Sequence, residues 1–240
     1  MCTVSFVANN NRVIITSNRD ENINRPEAQE IETIVSESNT RLYYPKDPSK
    51  GGSWFVTTDS GHTAVLLNGA FEKHNPSYPY KKSRGIVLLE LLKEYLPISE
   101  FEKICLEEVE PFTVIYYTGK NLYEIRWDGS KKHSRELSYG QAHIWSSVTL
   151  YDGAARNKKE KHFKDFIAQH IPVTEKDITH FHLQNSTDME NGFVIKRSNG
   201  IQTRSLTQAV ISFSHIQLTH HTLADSHTIS KHIPITSSYQ

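Results

Sequence analysis

Alternation of apolar and polar residues predicts antiparallel hairpins along much of the 240-residue chain. Residues 2–8 and 12–17 are rich in β-branched side chains and flank three asparagines, which favour a tight turn. Further strands are predicted at 53–59, 62–68, 112–118, 121–127, 142–148, 191–197 and 201–222. Residues 22–52 show little periodicity and contain three prolines, so we expect a long loop in which any strand is short.

Denser apolar patterns predict helices at 84–96, 99–108, 153–170 and 175–182. Ser83 and Asp152 are candidate N-caps, and Pro97 ends the first helix. Because hairpins dominate this order of elements, the pattern predicts a single α+β domain over residues 1–240, with two antiparallel sheets flanked by helices. From about Ala224 the sequence is polar, and we expect a loosely held tail.

Composition narrows the class of protein. The 27 basic and 27 acidic residues cancel, so the chain has no electrostatic reason to bind nucleic acid or an anionic membrane. No apolar run is long enough to span a bilayer, and the first residues are too polar for the core of a signal peptide. The two cysteines, Cys2 and Cys105, argue against a disulfide framework and favour a reducing, cytoplasmic setting.

Cys2 is the first candidate for chemistry. Removal of Met1 would leave one residue that carries both a thiol and an α-amine. An amine with a pKa of about 8 can act as the general base for its own side chain. The simpler interpretation is a small buried residue at the start of a strand. Cys105 lies in a segment that predicts a helix, so we expect its thiol to be buried.

The first predicted hairpin would bring residues 17–19 opposite Cys2 across the ladder. In that position Arg19 would lower the pKa of the thiol, and Asp20 would orient the amine. The alternative is that Arg19 and Asp20 form an ordinary surface ion pair.

Four short motifs extend this picture: MCTVSF at 1–6, SNRDENINRP at 17–26, GGSW at 51–54 and SRG at 83–85. Together they resemble the NRDE family, also called transport and Golgi organisation proteins, which is named after the tetrapeptide at 18–21. The resemblance is strong over the N-terminal third and continues beyond it as a shared order of elements. It implies the four-layer αββα sandwich of the N-terminal nucleophile hydrolases, with cysteine enzymes such as penicillin V acylase and bile salt hydrolase as relatives.

The resemblance also implies site residues. Asn68, after a predicted central strand, matches the place of an asparagine that holds the oxyanion, although on local grounds it is a turn residue before Gly69. Ser147 stands where these relatives have a second asparagine, and the loss of such a donor weakens stabilisation of the transition state. The further candidates for binding are Asn18, Trp54, Arg156 and Arg204, the last within a Thr-Arg-Ser stretch that is similar to a family element.

The 13 histidines do not predict a metal site, because no cysteine or carboxylate completes an ordered ligand pattern around them. His220 and His221 would point to opposite sides of an extended strand. We expect the histidines near the C-terminal end to belong to a solvated tail.

Two functional hypotheses follow. The first is an N-terminal nucleophile cysteine hydrolase that cleaves a non-peptide amide or an acyl thioester with Cys2, requiring no cofactor. The rival is a non-catalytic carrier on the same fold that binds haem or an acyl or lipid ligand, and the serine at position 147 favours it. In a third interpretation Cys2 is buried and inert, and the motifs only build the fold.

Overall fold

The computed structural model describes residues 2–9, 11–75, 79–93, 98–184 and 187–236, with the backbone alone at 99 and 100. Within these residues the strands form two antiparallel sheets, accompanied by four helices. The strands are β1 Cys2–Asn9, β2 Arg12–Asn22, β3 Ile31–Val35, β4 Arg41–Pro45, β5 Phe55–Thr58, β6 Thr63–Asn68, β7 Phe112–Tyr117, β8 Leu122–Trp127, β9 Lys132–Leu137, β10 His143–Ser146, β11 Ile201–Ile211, β12 His215–Thr222 and β13 Thr228–Pro234. The helices are α1 Arg84–Lys93, α2 Ile98–Phe101, α3 Gly153–Gln169 and α4 Glu175–His182.

The first sheet has the strand order β10-β1-β2-β11-β12-β13. β1 and β2 form the predicted hairpin, but β2 continues to Asn22, so the tetrapeptide at 18–21 lies inside a strand. The register pairs Cys2 with Arg19. β11 pairs with β2 along its other edge, which makes β2 an inner strand with few exposed residues.

The second sheet follows chain order from β3 to β9, so each strand pairs with its neighbour in sequence. β3 and β4 occupy part of the segment that was expected to be mostly loop. The main hydrophobic core lies between the two sheets and includes Val4 and Phe6 of β1 together with Val65 of β6 and Ile115 of β7.

The helices cover the outer faces of the sheets. A second core separates the first sheet from α3 and α4, where Val7 and Ile14 pack with Phe163 and Phe181. α1 packs on β5 and β6 of the second sheet. The layers are therefore helix, sheet, sheet and helix, which confirms the predicted α+β sandwich.

Local sequence explains where two of these helices begin. Asp152 caps α3 by accepting a hydrogen bond from the backbone N–H of Ala155 at 2.8 Å. Thr174 and Asp177 form a capping box at the start of α4. No helix in the described part of the chain has the length and apolar character needed to cross a membrane.

Two motif glycines explain the close approach of α1 to the second sheet. A Cβ atom added to Gly52 would lie 2.4 Å from the backbone carbon of Gly85. The backbone N–H of Ser53 donates to the carbonyl of Gly85 at 3.2 Å. The GGSW and SRG motifs therefore meet backbone to backbone, which larger residues would prevent.

Several sequence predictions were wrong. The tail expected from Ala224 instead contains β13, whose Ile229 and Ile233 pack on the main core. The helix expected at 99–108 ends at Phe101, and Cys105 is exposed. Residues 191–197 form only an isolated bridge, and 201–222 is a hairpin of two strands. The predicted end of the first helix, at Pro97, lies outside the described residues.

Candidate active site

Cys2 lies in the wall of a cavity of about 450 Å³, the Cys2 cavity. Arg19, Trp54 and Asn68 line the same cavity. The side chain of Cys2 is packed against the main core, and the residue is only 1% exposed. Four residues that sequence analysis singled out therefore share one cavity.

Arg19 lies directly opposite Cys2 in the ladder and is buried. Its guanidinium carbon is 4.4 Å from the centre of the Trp54 ring, and its Nη2 atom is 3.4 Å from Oδ2 of Asp47. Burial lowers the pKa of Arg19, while the charges of Glu21 and Asp47 oppose that shift. The ring and the carboxylate hold the cation in one position beside the thiol.

Two carboxylates and a second arginine complete this wall. Glu21 lies 3.7 Å from Arg19 and 3.3 Å from Arg25, and Asp47 lies 2.5 Å from Arg25. Burial opposes the charge on Glu21, but nearby positive charges and the backbone N–H of Asn22 outweigh it, so the pKa of Glu21 is lowered. Glu21 is therefore an anion on the cavity side of β2.

The tetrapeptide at 18–21 is divided between the two faces of β2. Arg19 and Glu21 line the Cys2 cavity, whereas Asn18 and Asp20 contact residues on the helix side of the sheet. This division follows from the period of two along a strand, which sends neighbouring side chains to opposite faces. The tetrapeptide therefore contributes two side chains to the Cys2 cavity and two to the helix side of the sheet.

Asp20 is fully buried beneath α3 and accepts hydrogen bonds from the hydroxyls of Tyr151 at 2.8 Å and Thr203 at 2.7 Å. Lys159 donates to the carbonyl of Gly192 at 2.6 Å and lies 4.2 Å from the centre of the Tyr151 ring. Burial lowers the pKa of Lys159 to about 8, although the charge of Asp20 opposes that shift. Asp20 thus has two hydroxyl donors, and its charge also raises the pKa of the Cys2 thiol. The contact of Asp20 with the Cys2 amine stays a prediction, because that amine is free only after Met1 is removed.

Asn18 belongs to a second buried network on the helix side. Its amide donates to the carbonyls of His182 and Phe193, at 2.9 and 2.8 Å, and its Oδ1 is 2.5 Å from Nδ1 of His182. The other ring nitrogen of His182 is 2.7 Å from the hydroxyl of Ser5. Burial lowers the pKa of His182 to about 3, so the ring is neutral near pH 7. Asn18 therefore joins β2 to α4 and does not line the Cys2 cavity.

The thiol of Cys2 is stabilised as a thiol and not as a thiolate. Burial raises its pKa, and the contributions of the Ser17 side chain and Arg19 are too small to reverse that shift. The net direction is opposite to the lowered pKa expected from Arg19 alone. Met1, whose removal the amine chemistry requires, lies outside the described residues.

Asn68 and Ser147 lie beside Cys2 but in different ways. Asn68 ends β6 and lines the Cys2 cavity. The backbone N–H of Ser147 donates to the carbonyl of Cys2 at 3.0 Å, and its hydroxyl donates to the carbonyl of Asn68 at 2.8 Å. Because this hydroxyl already has an acceptor, Ser147 braces Cys2 against Asn68 and does not supply a free donor to the cavity.

The remaining candidates are dispersed. Arg204, at a bulge in β11, pairs with Glu27, while Arg156 of α3 lines a different cavity. His220 is buried, with its ring 5.8 Å from that of Trp54, so the expected solvated histidine tail is wrong at this residue. Among the described residues, no group of three or more His, Cys, Asp or Glu side chains is arranged to hold a metal ion.

The Cys2 cavity is also lined by three residues that were not predicted from the sequence, Glu21, Arg25 and Asp47. The period of two could have found Glu21, because a residue two positions after Arg19 shares its face of the strand. No comparable signal existed for Asp47, which lies in a segment without periodicity and reaches the site only through tertiary structure.

The two-sheet sandwich, with a cysteine at the start of the strand next to β2, is the fold of the N-terminal nucleophile hydrolases. The chain belongs to the Transport and Golgi organisation 2 family, whose model matches residues 1–227. A comparison of the sequence with curated proteins gives no match.

Two solved structures illustrate the shared fold. The N-acylethanolamine-hydrolyzing acid amidase ortholog of Caenorhabditis elegans matches with a TM-score of 0.59 at 10% sequence identity, over 86% of this chain and 92% of its own. A variant of the conjugated bile acid hydrolase from Clostridium perfringens matches with a TM-score of 0.53 at 7% identity, over 96% of this chain and 92% of its own. At these identities the likeness shows the fold alone.

Proposed function

We propose that the chain is an N-terminal nucleophile cysteine hydrolase that cleaves a non-peptide amide or an acyl thioester. The observation that carries this proposal is the position of Cys2 in the wall of the Cys2 cavity, directly opposite the buried cation of Arg19. The two solved structures of the same fold are both named as hydrolases, one of them as an amidase, which supports the reaction class.

In the proposed reaction, removal of Met1 frees the α-amine of Cys2. The amine accepts the thiol proton while Sγ attacks the acyl carbon, so a carbon–sulfur bond forms. The carbon–nitrogen or carbon–sulfur bond of the substrate then breaks, and the proton passes to the leaving amine or thiol. Water attacks the acyl-enzyme, which releases the acid and restores the thiol. The side chain of Asn68 donates to the oxyanion in both steps.

Because the pKa of the thiol is raised, the surroundings must supply a general base that removes its proton. A buried thiol needs a base close to it, and the amine on the same residue meets that need. We propose that Glu21, an anion on the same face of β2 as Arg19, orients this amine and stabilises the ammonium group that forms when the amine accepts the thiol proton. Arg19 then stabilises the thiolate as it forms.

Intact-mass spectrometry tests the proposal. The exposed Cys105 would also react with thiol reagents, so Cys105→Ser serves as the parent and matched control. We expect loss of Met1 and a covalent acyl adduct on Cys2 when this variant meets a panel of acyl amides and acyl thioesters, and no adduct after Cys2→Ala. Retention of Met1, or no adduct from any member of the panel, would count against the hydrolase.

Two observations favour a second candidate, the non-catalytic carrier. Burial raises the pKa of the Cys2 thiol, and the Ser147 hydroxyl is engaged by the carbonyl of Asn68. The first makes Cys2 a weaker nucleophile, and the second leaves the Ser147 hydroxyl unable to donate to an oxyanion. Under this alternative an acyl or lipid ligand fits better than haem, because Cys2 is the sole His or Cys among the described residues lining the cavity, and its raised pKa disfavours the thiolate that ligates haem iron.

Equilibrium binding separates the two candidates. A carrier would bind an acyl ligand, or haem, with one-to-one stoichiometry and would leave it unchanged after prolonged incubation. Cys2→Ala would then alter the affinity only slightly, whereas in a hydrolase it removes the adduct completely. Ligand binding by the parent protein with neither adduct nor product would establish the carrier.

A further inference from the structure

A second cavity, of about 340 Å³, lies beside the Cys2 cavity and shares Asn68 with it. Its wall is built from β8, β9 and β10, from the segment that follows β10, and from the first turns of α3. Ser147 lines this second cavity and also holds the carbonyl of Cys2 through its backbone N–H. A ligand here would therefore adjoin the proposed catalytic residues without occupying their cavity.

The lining of the second cavity is rich in positive charge. Its charged side chains are Arg126, Arg135, Arg156, Lys164, Glu124 and Glu160. Glu124 is buried and accepts from Nε of Arg126 at 3.0 Å, Nε of Arg135 at 2.8 Å and Nε1 of Trp145 at 2.9 Å. One carboxylate thus faces two guanidinium groups, and their excess positive charge remains at the wall.

Arg156 is a lining cation that lacks an ion pair among the described residues. Its Nε atom is buried and has no hydrogen-bond partner, and its guanidinium forms no ion pair with any residue that the structure describes. Buried polar groups in proteins almost always have a partner, so this N–H needs an acceptor, which a bound anion or an ordered water can supply. Arg156, Glu160 and Lys164 are spaced four residues apart on α3, which brings all three to one face of the helix.

We propose that the second cavity is an anion-binding site that takes a carboxylate or phosphate group, with Arg156 as its central ligand and Lys164 and Arg135 at its edge. The chemistry follows from the donor set, because a planar guanidinium without a partner matches the oxygens of either group. Anion binding here does not require turnover at Cys2, so this proposal can be tested independently of the proposed hydrolase activity.

Titration calorimetry with the full chain tests the site, using inorganic phosphate in one arm and malonate in the other at constant ionic strength. We expect saturable binding of at least one anion and a rise in the melting temperature with its concentration. The arm with the tighter binding identifies the preferred group. Arg156→Gln should weaken that binding about tenfold or more, because it removes a charge-assisted hydrogen bond, and Lys164→Gln should weaken it less.

Two control variants, which remove the same charge outside the second cavity, show whether the anion binds in that cavity. Arg41→Gln alters a half-exposed arginine on β4, outside the cavity, and should leave the affinity unchanged. Arg25→Gln alters the Cys2 cavity and should also leave it unchanged. The proposal is overturned if neither anion binds saturably at about 10 mM, where even millimolar affinity would be visible. It is equally overturned if Arg25→Gln abolishes binding while Arg156→Gln does not.

Discussion

At the scale of single residues, two adjacent acids in β2 have opposite surroundings. Asp20 is fully buried and bonded to hydroxyls beneath α3, whereas Glu21 lies in the wall of the Cys2 cavity beside Arg19 and Arg25. Only Glu21 shares a face of the strand with Arg19, the residue that pairs with Cys2. A carboxylate that acts on the Cys2 amine is therefore expected at position 21, and a carboxylate that supports the helix layer at position 20.

Paired substitutions test this assignment. In the Cys105→Ser background, Glu21→Gln should slow alkylation of Cys2 about tenfold, the effect of one pKa unit in the thiol–amine pair, with little change in melting temperature. Asp20→Asn should not slow labelling, because the charge of Asp20 raises the pKa of the Cys2 thiol. It should lower the free energy of unfolding by about 1–3 kcal/mol, because it weakens two buried hydrogen bonds and removes the anion near Lys159. Alkylation rates and urea denaturation are measured side by side. Slower alkylation in Asp20→Asn, together with lower stability in Glu21→Gln, would show that Asp20 orients the amine.

At the scale of elements, the hairpins and capped helices were predictable because their signals are local. The β1–β2 hairpin and α3 with its cap at Asp152 follow from alternation and capping chemistry. β13 was not predicted, and β3 and β4 were predicted only as short strands within a long loop, because short edge or near-edge strands bury only part of one face and their pattern is weak. Asp47 reached the site through packing between distant segments, which no local pattern encodes.

The contact between the two glycine motifs gives an element-scale prediction. Gly52→Ala should lower the free energy of unfolding by about 1–3 kcal/mol, because its Cβ would overlap the backbone of Gly85 and push α1 away from β5. Gly153→Ala is the matched control, since an added Cβ there meets no atom within 4 Å and alanine suits the first turn of α3. Thermal unfolding of both variants provides the measurement. Equal stability of Gly52→Ala and the parent would contradict the claim that the contact with Gly85 requires glycine at position 52.

At the scale of the whole molecule, the net charge is balanced, but burial disfavours the charged form of several histidines. Burial lowers the pKa of His62 and His220 to about 4 and that of His182 to about 3. All three rings are therefore neutral in the folded protein at pH 5, whereas in the unfolded chain they take up protons below a pKa of about 6.5. These histidines lie in different parts of the fold, His62 before β6, His182 at the end of α4 and His220 in β12, so their effect is on global unfolding and not on one site.

The sign of the resulting pH dependence is fixed. Between about pH 6.5 and the lowered pKa values the unfolded chain binds more protons, so the stability contributed by each neutral histidine is complete above pH 6.5 and is lost as the pH falls. Each should cost about 2 kcal/mol of unfolding free energy between pH 7 and pH 5. His182→Gln should reduce the measured pH difference by about that amount, whereas His180→Gln, an exposed residue on the same helix, should not. Urea denaturation at the two pH values provides the measurement, and an unchanged pH difference in His182→Gln would show that the His182 ring is charged in the folded protein.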